Sequence, residues 1–197
     1  QCNRPGGEKN GAVPAGTIGG IVPPRPGADL PLAALSEPEM KVSSASVVAM
    51  FEDTARETGI ADLGLRMADA RRLSTLGALG MLMRDQSDVL GAMRVLAANG
   101  WTQSEGLSFE IEQAPPLTLF TLDLDFPGET RQAAELTLAA LVRFLQRFLG
   151  ADWRPEMVLF RHAPPASVAP GTTGPSRRVQ AGYCSACRPQ ASVSMKQ

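Results

Sequence analysis

Residues 129–149 read ETRQAAELTLAALVRFLQRFL, the most regular amphipathic stretch of the chain. Along one face, apolar side chains recur every three or four positions, at Ala133, Leu136, Ala140, Phe144 and Phe148. This spacing predicts an α-helix, and Gly150 is predicted to end it. The outward face is predicted to carry Arg131, Glu135, Arg143 and Arg147. A helix of this kind must bury its apolar face against another layer of structure.

The preceding stretch is predicted to supply that layer. Apolar and polar residues alternate over 107–112 and again over 119–126, which is typical of half-buried strands. The second alternation places Phe120, Leu122, Leu124 and Phe126 on one face. Between the two strands, the Ala-Pro-Pro sequence at 114–116 is predicted to turn the chain into an antiparallel hairpin. Residues 157–162 are predicted to form a third strand.

Two helices are predicted at the start of the folded body. Ser46 is predicted to cap the first, because its hydroxyl can accept a free N–H of the opening turn. Gly59 is predicted to end it, because glycine tolerates the left-handed conformation found there. The second helix is predicted over residues 61–71.

Two further helices are predicted before the hairpin. One, around residues 76–83, contains Gly77 and Gly80, and glycine inside a helix predicts a close neighbour. The other is predicted to run from its cap Ser87 to Asn99. The pattern predicts an α+β fold, with a helical N-terminal part packed on a small antiparallel sheet.

Composition divides the 197 residues into a body and two ends. Of the first 31 residues 13 are Gly or Pro, and regular apolar periodicity is weak after Pro165. We therefore predict a disordered leader over 1–34, a domain over 35–165 and a disordered tail over 166–197. No uncharged apolar run approaches the length of a membrane span. Residues 35–162 carry 12 basic and 18 acidic residues, a balance that argues against DNA binding by the body.

The cysteines and acidic pairs give no sharp catalytic or metal signal. Three cysteines suit a reducing compartment, so a cytoplasmic location is predicted. Cys184 and Cys187 have C-x-x-C spacing, but we interpret this as accidental because no helix follows them. Asp123 and Asp125 share a strand face and are interpreted as solvated side chains. No nucleophile–base pair, metal set or cofactor motif is found, so neither an enzyme nor a cofactor is predicted.

Three residues are candidate effector contacts. His162, the only histidine, is either a contact at the mouth of a pocket or a packed ring at the end of a strand. Met83 and Met93 either line an adaptable pocket or fill the core, since thioethers suit both roles.

Several segments together resemble a known family. They are DLGLRMA at 62–68, LGALGMLMRDQ at 76–86, RQAAE at 131–135 and WRPEMVLFRHAP at 153–164. In this order and spacing they resemble the N-terminal effector-binding region of AraC-type bacterial transcriptional regulators. The resemblance is to the branch whose regulatory half is mainly helical, and it covers residues 35–165.

The resemblance implies a domain that binds a small-molecule effector and can form a homodimer. It implies DNA binding only through a C-terminal helix-turn-helix half, which is not found in these residues. From the weak pattern after Pro165 we expect a truncated or out-of-frame tail. The alternative function is a stand-alone interaction or dimerisation module without a ligand.

Overall fold

The structure, a computed structural model, describes residues 30–37, 40–162, 180–183 and 191–196. The helices of these ranges are α1 (Ser44–Thr58), α2 (Leu63–Ala68), α3 (Ala78–Arg84), α4 (Val89–Asn99) and α5 (Arg131–Leu149). The strands are β1 (Leu107–Ala114), β2 (Leu117–Leu124), β3 (Met157–Phe160), β4 (Gln180–Tyr183) and β5 (Ala191–Lys196). The predicted α+β fold is confirmed.

The helix caps differ from the predicted ones by a few residues. Ser43, not Ser46, caps α1, and its hydroxyl oxygen accepts the N–H of Ser46 at 3.3 Å. The carboxylate of Asp88, not Ser87, caps α4 by accepting the N–H of Gly91 at 2.7 Å. Each observed cap lies just outside its helix with extended backbone, which is the conformation that the capping role requires. Gly59 ends α1 with φ 68°, as predicted.

The predicted hairpin is present. β1 and β2 pair antiparallel with Phe109 opposite Leu122, so both side chains lie on the same face of the sheet. Phe120, Leu122 and Leu124 are buried, whereas Asp123 on the other face is exposed. The face that carries the three apolar side chains therefore packs against the helices.

The sheet extends beyond the hairpin into the predicted tail. Its strand order is β1-β2-β5-β3-β4, and all neighbours are antiparallel except β3 and β4, which are parallel. The prediction of disorder across 166–197 is thus wrong for residues 180–183 and 191–196. β5 pairs on both sides, and Val193 is 0% exposed. Ladder hydrogen bonds stabilise a short strand even where its sequence pattern is weak.

The core lies between the sheet and the helices. α5 contacts α1, α2, β2 and β5, and its Leu138, Leu141 and Leu145 are almost completely buried. α3 packs on α4 and brings Met83 and Met93 into the same core. Of the predicted glycine contacts, that of Gly80 is confirmed, because an added Cβ would lie 2.2 Å from the carbonyl oxygen of Leu73.

Two stretches bear on the predicted ends. Leu32–Leu35 forms one turn of 3-10 helix at the edge of the predicted leader. Residues 1–29 and the two cysteines of the C-x-x-C lie outside the described residues. Among the helices described, none is both long and apolar enough to cross a membrane.

Candidate functional site

Three helices meet in a polar cluster at the first turn of α5. Glu52 of α1 accepts the backbone N–H of Gln132 through Oε1 at 2.5 Å. The Gln132 side chain accepts the N–H of Gly64 at 2.8 Å and donates to the carbonyl of Ala61 at 3.1 Å. One amide side chain therefore bonds both a donor and an acceptor at the start of α2, and this fixes α2 against α5.

Glu135 is the most deeply buried charged residue of this cluster. It is 2% exposed, and its Oε1 accepts a hydrogen bond from Nε of Arg131 at 3.1 Å. Nε2 of His162 lies 3.5 Å from the same oxygen. Within the described part of the chain, Oε2 of Glu135 has no hydrogen-bond partner. A buried polar atom of this kind marks a place where a further donor would stabilise the structure.

The prediction that Glu135 faces outward is wrong. Every residue from Gln132 to Leu136 is buried, so the start of α5 is enclosed on all sides. Neighbouring helices cover the face that helical periodicity assigns to solvent. Arg131, also predicted to face outward, is half-buried, and it donates to the carbonyl of Ala61 as well as to Glu135.

Burial raises the pKa of both glutamates. Loss of solvent raises the pKa of Glu135, although the hydrogen bond from Arg131 opposes the increase. Loss of solvent likewise raises the pKa of Glu52, against the hydrogen bond from Gln132. Repulsion from the carboxylate of Glu52 also raises the pKa of Glu135.

A cleft of about 820 Å³ opens beside this cluster, and we call it the α5 cleft. Its charged and polar lining consists of Glu52, Arg56, Glu129, Thr130, Arg131, Gln132, Arg161 and His162. The His162 side chain is 18% exposed, and its ring lies 5.0 Å from that of Phe160. The cleft therefore meets solvent on one side and the Glu135 network on the other, with Arg131 and His162 between them.

A sequence model of the arabinose-binding N-terminal domain of AraC transcription regulators matches residues 26–172. The chain belongs to this family. The match covers most of the chain, and it confirms the family suggested by the sequence motifs.

Two curated relatives of this AraC-type domain are regulators. Both are the HTH-type transcriptional regulator VirS of Mycobacterium tuberculosis, from strains CDC 1551 / Oshkosh and ATCC 25618 / H37Rv. Each is 26% identical over 139 residues, which cover 68% of this chain and 41% of the relative. The chain thus spans about two fifths of the length of these relatives.

A solved structure is also similar to this AraC-type domain. It is the transcriptional regulator CdpR from Pseudomonas aeruginosa, with a TM-score of 0.49 and 16% identity. The similarity covers 68% of this chain and 42% of that chain.

In this AraC-type domain the three candidate effector contacts do not come together. His162 lies in the wall of the α5 cleft. Met83 and Met93 are 0% and 1% exposed in the core, and neither lines the α5 cleft. Effector binding by the three residues stays a prediction.

The two acidic residues that we interpreted as solvated lie at exposed positions. Asp123 and Asp125 are exposed, and Asp123 accepts the N–H of its neighbour Leu124. Across the ranges that the structure describes, no group of three or more His, Cys, Asp or Glu is arranged to hold a metal ion.

Sequence reasoning missed Glu52 and Gln132, although Glu52 left a signal. It follows Val48 by four residues and precedes Ala55 by three, and all three are buried. That is the spacing of the apolar stripe on α1, and a glutamate on such a stripe is a signal of burial and of a buried partner. Gln132 left no comparable signal, because its bonds depend on the approach of α2.

Proposed function

We propose that this AraC-type domain senses a small-molecule effector that binds in the α5 cleft. The domain would act within a transcriptional regulator that contacts DNA through a separate helix-turn-helix half. Membership of the family supports the regulatory role. The observation that carries the location is the buried Oε2 of Glu135, which has no donor among the described residues. The other oxygen of this carboxylate is in contact with the cleft residues Arg131 and His162. The cleft volume is also within the range of sites for small organic ligands.

The arrangement provides a physical route from ligand to fold. Arg131 contacts the cleft, the Glu135 carboxylate and the carbonyl of Ala61 before α2. A ligand that engages Arg131 changes the hydrogen bonds holding α2 to α5. It shifts the domain between two states only as far as it binds one of them more tightly, and the DNA-binding half responds to that shift.

Ligand-induced thermal stabilisation tests the proposal. Small bacterial metabolites, sugars among them, are screened for compounds that raise the melting temperature, because a ligand that binds only the native state must do so. Each positive compound is then tested on Arg131→Gln and His162→Ala. Arg154→Ala serves as the control, since Arg154 is exposed and is not part of the α5 cleft.

We expect the thermal shift to be lost in both cleft variants and kept in the control. A compound that stabilises all four proteins equally would place the effector elsewhere. Failure of every metabolite to stabilise the parent protein would favour the interaction module without a ligand.

A further inference from the structure

A second cleft, distinct from the α5 cleft, gathers five arginines. Arg71 and Arg72 follow α2, Arg84 ends α3, and Arg143 and Arg147 lie on the outer side of α5. All five line a single cleft of about 800 Å³, which we call the arginine cleft, and none of the described residues that line it is acidic. The described linings of the two clefts have no residue in common.

Most of these positive charges are not neutralised. Arg143 pairs with Asp69 at 2.7 Å. The side chains of the other four make no hydrogen bond or ion pair within the described ranges. Like charges held together repel one another, and the surrounding body has more acidic than basic residues. The arginine cleft is therefore a positively charged patch on a body whose net charge is negative.

The chemistry of the lining narrows the class of ligand. Guanidinium groups match the geometry of phosphate oxygens and bind them through paired N–H donors. Four unpaired arginines offset the charge of a ligand with at least two phosphate groups, whereas a dicarboxylate neutralises only half of it. The buried Phe144 and the half-buried Leu73 add an apolar surface that can contact an uncharged portion of the ligand.

We propose that the arginine cleft binds a small phosphorylated metabolite that carries two or more phosphate groups. The concave shape and the volume favour a small ligand over a DNA duplex. The acidic balance of the body also disfavours a long polyanion that must extend past the cleft. The proposal does not depend on an effector in the α5 cleft.

Calorimetric titration with inorganic tripolyphosphate and with ATP tests the site. The full chain is compared with Arg72→Ala, Arg147→Ala and the double variant, whose two residues come from different elements of the cleft. Arg66→Ala and Arg154→Ala are charge-matched controls at exposed arginines outside it. We expect one site per chain at about 0.15 M salt, weakened roughly tenfold by each cleft substitution and unchanged in the controls.

Two further measurements distinguish a phosphate site from a structural arginine cluster and from a nucleic-acid contact. Without a ligand, Arg72→Ala should raise the melting temperature by relieving repulsion, and tripolyphosphate should raise that of the parent protein. A purely structural arginine gives the opposite sign in the first measurement. A short DNA duplex is titrated in parallel, and we expect it not to displace tripolyphosphate.

Besides a lowered melting temperature of Arg72→Ala, three results would overturn the proposal. One is the absence of binding by either probe at millimolar concentration. Another is equal weakening by the cleft and control variants, which indicates diffuse charge attraction. The third is displacement of tripolyphosphate by DNA at lower concentration than by ATP, which makes the cleft a nucleic-acid contact.

Discussion

Glu52 caps a helix to which it does not belong. Its Oε1 accepts the N–H of Gln132, the second residue of α5, at 2.5 Å. Thr130, the residue at the N-cap position of α5, makes no side-chain capping bond of its own. A backbone N–H at the start of α5 is therefore bonded by a side chain of α1, and these two helices become parts of one cooperative unit.

Removal of this cap should destabilise the whole domain. Glu52→Ala leaves the buried N–H of Gln132 without an acceptor, at a cost of about 1–3 kcal/mol. Glu52→Gln keeps an acceptor oxygen at the same place and should lose less. Urea denaturation of the three proteins measures the order, and an alanine variant as stable as the parent would show that water replaces the cap.

Stability should fall as the pH rises above the ordinary glutamate pKa. Burial raises the pKa values of Glu135 and Glu52 in the folded state. Between the ordinary glutamate pKa and the raised one, the folded protein binds more protons than the unfolded chain. The free energy of unfolding therefore decreases as the pH rises through that window.

Denaturation over a series of pH values checks this dependence. Glu135→Gln should flatten the decline, because the amide has no proton to lose. Leu145→Val is the matched control, since it weakens the core without touching either carboxyl and should keep the slope of the parent. The same slope in the parent and in Glu135→Gln would count against a raised pKa at Glu135.

Gly64→Ala should separate α2 from α5. A Cβ at Gly64 would lie 2.1 Å from the carbonyl oxygen of Gln132, and that backbone cannot rotate away. We expect a loss of about 1–3 kcal/mol from the forced shift. Gly91→Ala is the comparison, because its close neighbours are flexible side-chain atoms of Gln86 and Asp88. Equal melting of the two variants would mean that the α2–α5 contact is loose.

Val193→Asp should unfold the sheet. Val193 is 0% exposed in β5, opposite Phe120 on one side and Val158 on the other. An unpaired buried carboxylate there costs several kcal/mol, a large fraction of the stability of a typical domain. Leu117→Asp is the control, because Leu117 lies on the adjacent strand but is exposed, and this variant should lose less stability. Circular dichroism and the yield of folded protein measure the difference. A well-folded Val193→Asp protein would contradict the placement of β5 in the core.

The sequence predicts helices and strands that depend on local periodicity, but it does not predict features that depend on contacts between distant segments. The β1–β2 hairpin and α5 follow from apolar periodicity alone, so their prediction is sound to within a few residues. Ser43 and Ser46 are both plausible caps, and only the backbone conformation distinguishes them. Glu135 occupies an outward position by helical spacing, but α1 and α2 cover that side of α5.

The two clefts also differ in how far the sequence predicts them. His162 follows a predicted strand and lines the α5 cleft, but its ring also lies 5.0 Å from that of Phe160, so neither of its two predicted roles is decided. The arginine cleft is invisible in the sequence, where Arg71 and Arg72 form only a short pair. Residues from α3 and α5 join them through packing alone.

The position of β5 sets the order in which this domain can be built. Residues that pair between β2 and β5 are 69 to 79 apart in the chain, and β3 also pairs with β5. On a ribosome, the hairpin and all five helices emerge while the edge of β2 still lacks its neighbour. Such a high contact order slows folding, and an unpaired strand edge invites association with other chains. Synthesis of the residues before β5 is therefore the interval in which chaperone binding should matter most for this protein.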